Sequence, residues 1–265
     1  MKFSIVANTK QENIREILKK VIGFVEDFEL DKVTAKFLGL SGVEIKDLSG
    51  EVIISLGGDG TILHILSQIN KPILGINFGG VGFLNELEPD SDILTAIDNV
   101  IHKKYFEEKL HRIDTYLNDL KVGTAVNEIV LHTSRVAKIQ GFEISTNGKL
   151  IDSFRGDGVI IATPTGSTSY SMSIGAPIIY PTMKSNLIVP MAPYKLGSRP
   201  LILPANYDIS AKISGYPEAV MVIDGKDEIF IKGDDKIEFK ASNNPATLIR
   251  FSKNFFDRLR NKLRL

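Results

Sequence analysis

Glu51–Thr61 reads EVIISLGGDGT, and this stretch decides how the first half of the chain folds. Val52–Leu56 is a continuous apolar run of strand length, as in a parallel strand buried on both faces. Glycines 57, 58 and 60 then surround one acid, Asp59, and from Thr61 to Ile69 apolar residues recur with helical spacing (Ile62, Leu63, Ile65, Leu66, Ile69). Open α/β sheets place ligands at the C-terminal ends of such strands. Glycine lets a ligand approach the backbone closely, and the helix start offers free N–H groups to phosphate oxygens. The loop has no Lys-Ser/Thr pair and not the G-x-G-x-x-G spacing, so it is neither a P-loop nor a dinucleotide fingerprint. A carboxylate aimed at a phosphate site repels phosphate unless it binds a cation or takes a proton from a nucleophile. Both needs arise in phosphoryl transfer to a hydroxyl. The plainer reading is an Asp-Gly turn joining strand to helix.

Outward from this stretch, the N-terminal part alternates strands and helices. Lys2–Ala7 and Pro72–Ile76 read as strands, and Gln11–Phe24 and Asp92–Ile101 as helices. This alternation predicts an open parallel sheet covered by helices, over residues 1–104. From about residue 105 the chain becomes rich in short strands and turns. Asn147-Gly148 signals a hairpin between Phe142–Thr146 and Leu150–Phe154, and Gly233-Asp234-Asp235 is read in the same manner between Ile229–Lys232 and Ile237–Lys240. A β-rich domain is therefore expected over 105–240, and a C-terminal segment over 241–265 whose helix, Phe255–Leu265, returns to the first domain.

Phe154–Pro177, FRGDGVIIATPTGSTSYSMSIGAP, carries a second polar motif. Thr163, Thr165, Ser167, Thr168, Ser169, Tyr170, Ser171 and Ser173 follow the strand Val159–Ala162, with Gly166 among them. Hydroxyls and glycine amides at this density suit sugar hydroxyls, a base edge or phosphates, and Tyr170 could stack on a base. Helix capping accounts for about two of these hydroxyls. Between the motifs, Asn127-Glu128 sits between Val126 and Ile129, so at least one polar side chain points inward or into a cleft.

Composition narrows the classes. At 43% hydrophobic and 24% charged residues the chain is ordinary for a globular protein, large enough for a core without disulfides. Lys+Arg equals Asp+Glu at 32 each, which favours neither nucleic acid nor an anionic membrane as a partner. The absence of cysteine excludes thiol catalysis and Cys-based metal sites. MKFSIVANTK has too short an apolar run for a signal peptide, and no stretch suggests a membrane span, so a cytoplasmic protein is expected.

GGDGT at 57–61, NE at 127–128 and RGDG…TPTGSTSYSMS at 155–173 together resemble the NAD kinase family. GINFGGVGFL at 75–84, VMVIDGK at 220–226 and the tail FFDRLRNKL add to the resemblance, which spans nearly the whole chain. GGDGT alone also resembles diacylglycerol, sphingosine and 6-phosphofructo kinases; the long Thr/Ser segment narrows the likeness. The resemblance implies an N-terminal α/β domain and a C-terminal β-sandwich-like domain, with the dinucleotide between them. It implies phosphorylation of NAD by ATP, Mg²⁺ or another divalent metal as cofactor with ligands left unassigned, and a homo-oligomer (dimer or tetramer) sharing residues between subunits. Asp59 is then the catalytic base toward the 2′-hydroxyl of the adenosine ribose, with Gly60 beside it. Asn127, Glu128, Arg155, Asp157, Thr168, Ser169, Tyr170, Ser171, Met172 and Ser173 line the dinucleotide site, and Lys138, Ala192 and Lys226 align with further ligand contacts. The sequence departs from the family pattern at Ala176, at Ser169, at Gly80-Val81 and at His64, the last two near the expected phosphate path. The alternatives are a lipid or sugar kinase with the same loop, and a non-catalytic NAD(P) sensor.

Overall fold

The computed structural model describes residues 1–78, 82–135, 137–226 and 228–263. The chain forms two compact units, Met1–Lys109 with Ala246–Leu265, and Leu110–Pro245.

The first unit opens with β1 (Phe3–Ala7), α1 (Ile14–Phe24), β2 (Phe28–Leu30), α2 (Lys32–Leu38), β3 (Val52–Leu56), α3 (Asp59–Leu66), β4 (Ile73–Ile76), α4 (Ile93–Ile101) and β5 (Phe106–Leu110). Residues of β1, β3 and β4 are all buried, as their unbroken apolar runs require. Ile14, Leu18 and Val21 of α1 and Ile97 and Val100 of α4 pack on this sheet. The sequence pattern gives no notice of α2, whose ends are set by chemistry. The Asp31 carboxylate accepts from the amides of Val33 and Thr34, and Gly39 takes the left-handed φ of 76° just past its C-terminus.

The second unit runs β6 (Ile113–Leu117), β7 (Leu120–Ala125), β8 (Glu128–Thr133), β9 (Gln140–Thr146), β10 (Lys149–Gly156), β11 (Gly158–Ala162), α5 (Tyr170–Ser173), β12 (Ser185–Met191), β13 (Leu201–Pro204), β14 (Ile209–Ser214), β15 (Glu218–Ile223), β16 (Glu228–Lys232) and β17 (Ile237–Ala241). The chain then adds β18 (Ala246–Arg250) and α6 (Phe255–Leu263) to the first unit. The first unit's sheet has the order β2-β1-β3-β4-β18-β5, with parallel pairing among β1–β4 and β18. β18 sits between β4 and β5, a strand the sequence reading did not foresee.

The second unit contains two six-stranded sheets, β10-β9-β14-β17-β6-β7 and β13-β12-β11-β8-β15-β16. Ile113, Phe142, Ile144, Ile213 and Phe239 of one face Ile129, Leu131, Val159, Ile161 and Met221 of the other in a single core, which makes it a β-sandwich. On β8, Ile129 and Leu131 point inward, so Glu128, Val130 and His132 lie on the outer face. β11 is buried on both sides: Ile160 and Ala162 on its outer face are covered by Ala176 and Ile179 from the segment after α5.

The Asn147-Gly148 hairpin forms as expected, Thr146 pairing with Lys149 and both turn residues at positive φ (48° and 75°). Gly233-Asp234-Asp235 is a turn but not a hairpin, which corrects the reading above. β16 pairs with β15, while β17 pairs with β14 and β6 in the other sheet. The turn is closed locally by the Lys232 amide on the Asp235 carboxylate (2.7 Å). Turn chemistry dictates a reversal; burial of both apolar faces dictates that the strands join opposite sheets.

Candidate active site

The chain leaves β1 for the edge strand β2 and then crosses back to β3, so the strand order reverses between β1 and β3. At such a switch point the loops part and leave a crevice at the strand ends. A cleft of ≈ 510 Å³ occupies that place, lined by Ala7 and Asn8 after β1, by Gly58, Gly60 and Thr61 after β3, and by Gln11, Asp31, Val33, Ile45 and His64.

Asp59 is the first residue of α3, two residues earlier than the sequence reading places the helix start. An acid is favoured in a first helical turn by the exposed amides there. Its carboxylate is held by three donors from one loop. Oδ2 accepts from the Phe83 amide (2.6 Å), and Oδ1 from the Leu84 amide (3.1 Å) and the Asn85 side chain (2.9 Å). A carboxylate has about four acceptor positions, and the described residues fill three of them. Gly82 passes so close that an added Cβ would lie 2.4 Å from Asp59 Oδ1. At Gly60 an added Cβ meets no described atom within 4 Å. Gly80 and Val81, where the sequence departs from the family pattern, lie outside the described residues.

In the second unit, Asn127 and Glu128 begin β8 under the control of a residue the sequence reading did not single out. Asp224 takes the left-handed φ of 48°, and its carboxylate accepts from the amides of Val126 (2.8 Å), Asn127 (2.8 Å) and Glu128 (3.1 Å). Burial pushes the Asp224 carboxyl upward, against these amides, which favour its ionised form. Glu128 is 6% exposed. Desolvation, with the neighbouring Asp224 charge, raises its carboxyl to about 7, and a 3.2 Å hydrogen bond donated by Ser169 Oγ only partly opposes this. Among the described residues its Oε2 is buried without a hydrogen-bond partner. The signal that could have found Asp224 was its Asp-Gly pair after a strand, a turn signature.

Glu128 and Tyr170 stand in a groove of ≈ 600 Å³ along the outer face of β8 and β15, with Val130, His132, Val220, Val222 and Phe230. Three of the eight hydroxyls serve backbone carbonyls, one more than the two that capping was expected to explain. Thr163 donates to Val126 O, Ser167 to Pro164 O and Thr168 to Thr165 O. Ser171 is fully buried and Thr165 nearly so. Tyr170 and Ser173 are exposed, and Thr168, Ser169 and Met172 half-buried.

The other predicted residues gather elsewhere. Arg155 and Asp157 flank Gly156, where an added Cβ would meet the carbonyls of Met191 (2.7 Å) and Ala192 (3.2 Å). Ala192 itself has a φ of 43°. Arg155, Asp157, Ala192 and Lys138 are all exposed, Lys138 lying over the Tyr216 ring. In the ladder Ala162 faces Glu128 and Gly158 faces His132, so Asp157 and Glu128 lie at opposite ends of β11. Five residues of strand set these ends about 16 Å apart. Lys226 is half-buried, just past Asp224.

An acid-bearing glycine loop at the switch point of a parallel sheet, on a chain completed by a β-sandwich, defines a phosphotransferase class distinct from the P-loop proteins. The comparisons narrow it. The ATP-NAD kinase N-terminal domain matches residues 11–105 and the ATP-NAD kinase C-terminal domain residues 126–251. The NAD kinase of Thermoplasma volcanium is 36% identical over 99% of this chain and 98% of its own. That of Methanosarcina barkeri is 41% identical over 94% and 92%. The chain belongs to the NAD kinase family. The crystal structure of an NAD kinase from Archaeoglobus fulgidus in complex with ATP superposes with a TM-score of 0.82 at 27% identity, covering 100% of this chain and 99% of that one. Yeast NADH kinase complexed with NADH shares the fold, with a TM-score of 0.88 at 22% identity over 99% of this chain and 87% of its own.

Proposed function

We propose that this chain transfers the γ-phosphoryl group of ATP to the 2′-hydroxyl of the adenosine ribose of NAD, making NADP. Asp59 takes the hydroxyl proton as the ribose oxygen bonds to the γ-phosphorus. The bond from that phosphorus to the β–γ bridging oxygen breaks, and ADP leaves. The observation that carries this reading is the setting of Asp59: an acid oriented by three donors from the 82–85 loop, between Gly58 and Gly60, which line the switch-point cleft. Glu128, Ser169 and Tyr170, with Asn127, Thr168, Met172 and Ser173, hold the dinucleotide. Mg²⁺ or another divalent ion offsets the phosphate charge. Such an ion would be held largely by the nucleotide phosphates, as Mg²⁺ commonly is.

The protein acts in the cytoplasm, where ATP and NAD are available, as a homo-oligomer, dimer or tetramer. The distance between the Arg155–Asp157–Ala192–Lys138 end of β11 and the Glu128 end supports this, because one end can serve a neighbour's dinucleotide. Among the described residues no helix is long and apolar enough to cross a membrane.

The test is purified protein with Mg-ATP and, in parallel, NAD, NADH, diacylglycerol and fructose 6-phosphate. NADP formation that is lost in Asp59→Asn is expected. Binding of NAD without product supports a sensor instead, and phosphorylation of either non-nucleotide acceptor supports the lipid or sugar kinase. Light scattering that shows a monomer removes the shared-site reading.

A further inference from the structure

The loop that holds Asp59 is itself held from behind. Lys262 Nζ donates to the Gly82 carbonyl, whose peptide carries the Phe83 amide that binds Asp59 Oδ2. Arg250 and Arg258 each donate to the Phe83 carbonyl (3.3 Å both), whose peptide carries the Leu84 amide that binds Oδ1. The same two guanidiniums reach the Asn85 carbonyl (3.1 and 3.2 Å), and the Asn85 side chain supplies the third donor. Two consecutive peptide groups thus lie between cations on their carbonyl side and one carboxylate on their amide side. Glu86 fixes both guanidiniums (3.2 Å to Arg250, 2.8 Å to Arg258), Glu108 adds 2.7 Å to Arg250, and Glu88 holds Lys262 at 3.1 Å.

The C-terminal helix gives an independent reason to read this as more than packing. No residue of α6 is buried, so it contributes no apolar core. Arg258 and Lys262 stand four residues apart, on one helical face. That face is directed at the carbonyls of the 82–85 loop.

We propose that Arg250, Arg258 and Lys262 are positioning residues that aim Asp59 through the Gly82–Phe83 and Phe83–Leu84 peptides. Each cation pulls on a carbonyl, turns the peptide plane and presents its N–H to Asp59. The carboxylate is thereby locked in one rotamer. The inference rests on Asp59 being the base of the reaction.

The test is a double-mutant cycle with steady-state kinetics. Lys262→Met is expected to lower kcat about tenfold while the KM values for NAD and ATP change less than about twofold, because misaim of a catalytic group acts on turnover. Lys262→Arg is expected to recover kcat to within about threefold. In an Asp59→Asn background, Lys262→Met should cost less than about twofold more, since the group it positions has lost its role. Arg258→Lys, which keeps the charge on the same face, gives a second variant; its kcat should lie between wild type and Lys262→Met. Wild-type kcat in Lys262→Met, or an undiminished tenfold loss in the Asp59→Asn background, overturns the positioning role while leaving Asp59 as base. Full turnover by Asp59→Asn alone overturns the base itself.

Discussion

Two carboxylates, one in each unit, are treated in opposite ways. Asp59, in the α/β unit, receives three donors. Glu128, in the sandwich, receives one long hydrogen bond from Ser169 and leaves Oε2 buried without a partner among the described residues. The three amides around Glu128's own strand start go to Asp224 instead. A supply of donors fixes an acid's orientation, whereas burial with a single weak donor makes an acid that keeps its proton up to near neutrality. The same residue chemistry therefore serves two tasks, with the surrounding backbone selecting which.

The comparison breaks most sharply at Asp59. Asp59→Asn keeps the size and loses the base, so turnover is expected to fall about 10²–10⁴-fold with little change in the KM for NAD. Steady-state NADP formation checks it. Gly82→Ala leaves the acid in place but drives a methyl group onto Oδ1. A loss in kcat of about 10–100-fold is expected, with binding of NAD by calorimetry nearly unchanged.

Glu128 sharpens the other side. Its carboxyl is raised from 4.5 to about 7 by burial and by Asp224. An acid raised in the folded state contributes stability that is complete below pH 4.5 and lost as pH rises through about 7. Glu128→Gln removes that loss, so urea denaturation at pH 8 should show the variant more stable than wild type by about 2–3 kcal/mol, shrinking to near zero at pH 4.5. The KM for NAD should change between pH 6 and 8 in wild type and stay flat in the variant. A donor-rich acid away from the site gives the smallest effect. Burial would raise Glu29, but Lys2, Ser4 and the amides of Gly50 and Ser49 together bring it from 4.5 down to about 2. Its contribution is complete above pH 4.5 and lost as pH falls through about 2. Glu29→Gln should cost about 1–2 kcal/mol at pH 7, allowing for solvent screening, read as a lowered melting temperature.

Much of this fold was legible because its rules are local. The apolar runs of β1, β3 and β4, the helical spacing of α1 and α4 and the Asn147-Gly148 turn all follow from backbone sterics and burial within a few residues. The GGDGT loop was legible for the same reason, since strand end, glycines and helix start are contiguous. Where the local signal was short or shared, reading went astray: β18 is five residues long, and the Ser242-Asn243-Asn244-Pro245 turn before it does not say which sheet it joins, while the Gly233-Asp234-Asp235 reversal fits a hairpin and an inter-sheet crossing equally well. Within the hydroxyl run, Thr163, Ser167 and Thr168 could not be told from ligand contacts, because Ser and Thr serve backbone carbonyls as readily as ligands.

By itself the sequence determined that a buried strand ends in a glycine loop carrying Asp59 and that a β-rich half follows, because periodicity, glycine freedom and helix termini act over a few residues. Tertiary structure alone decided what the acids can do. The donors of Asp59 come from 24 to 26 residues away, Asp224 reaches amides nearly 100 residues back, and the cations behind the Phe83 carbonyl lie more than 160 residues on. Hydrogen bonds depend on where atoms meet in space, and no spacing along the chain encodes those meetings.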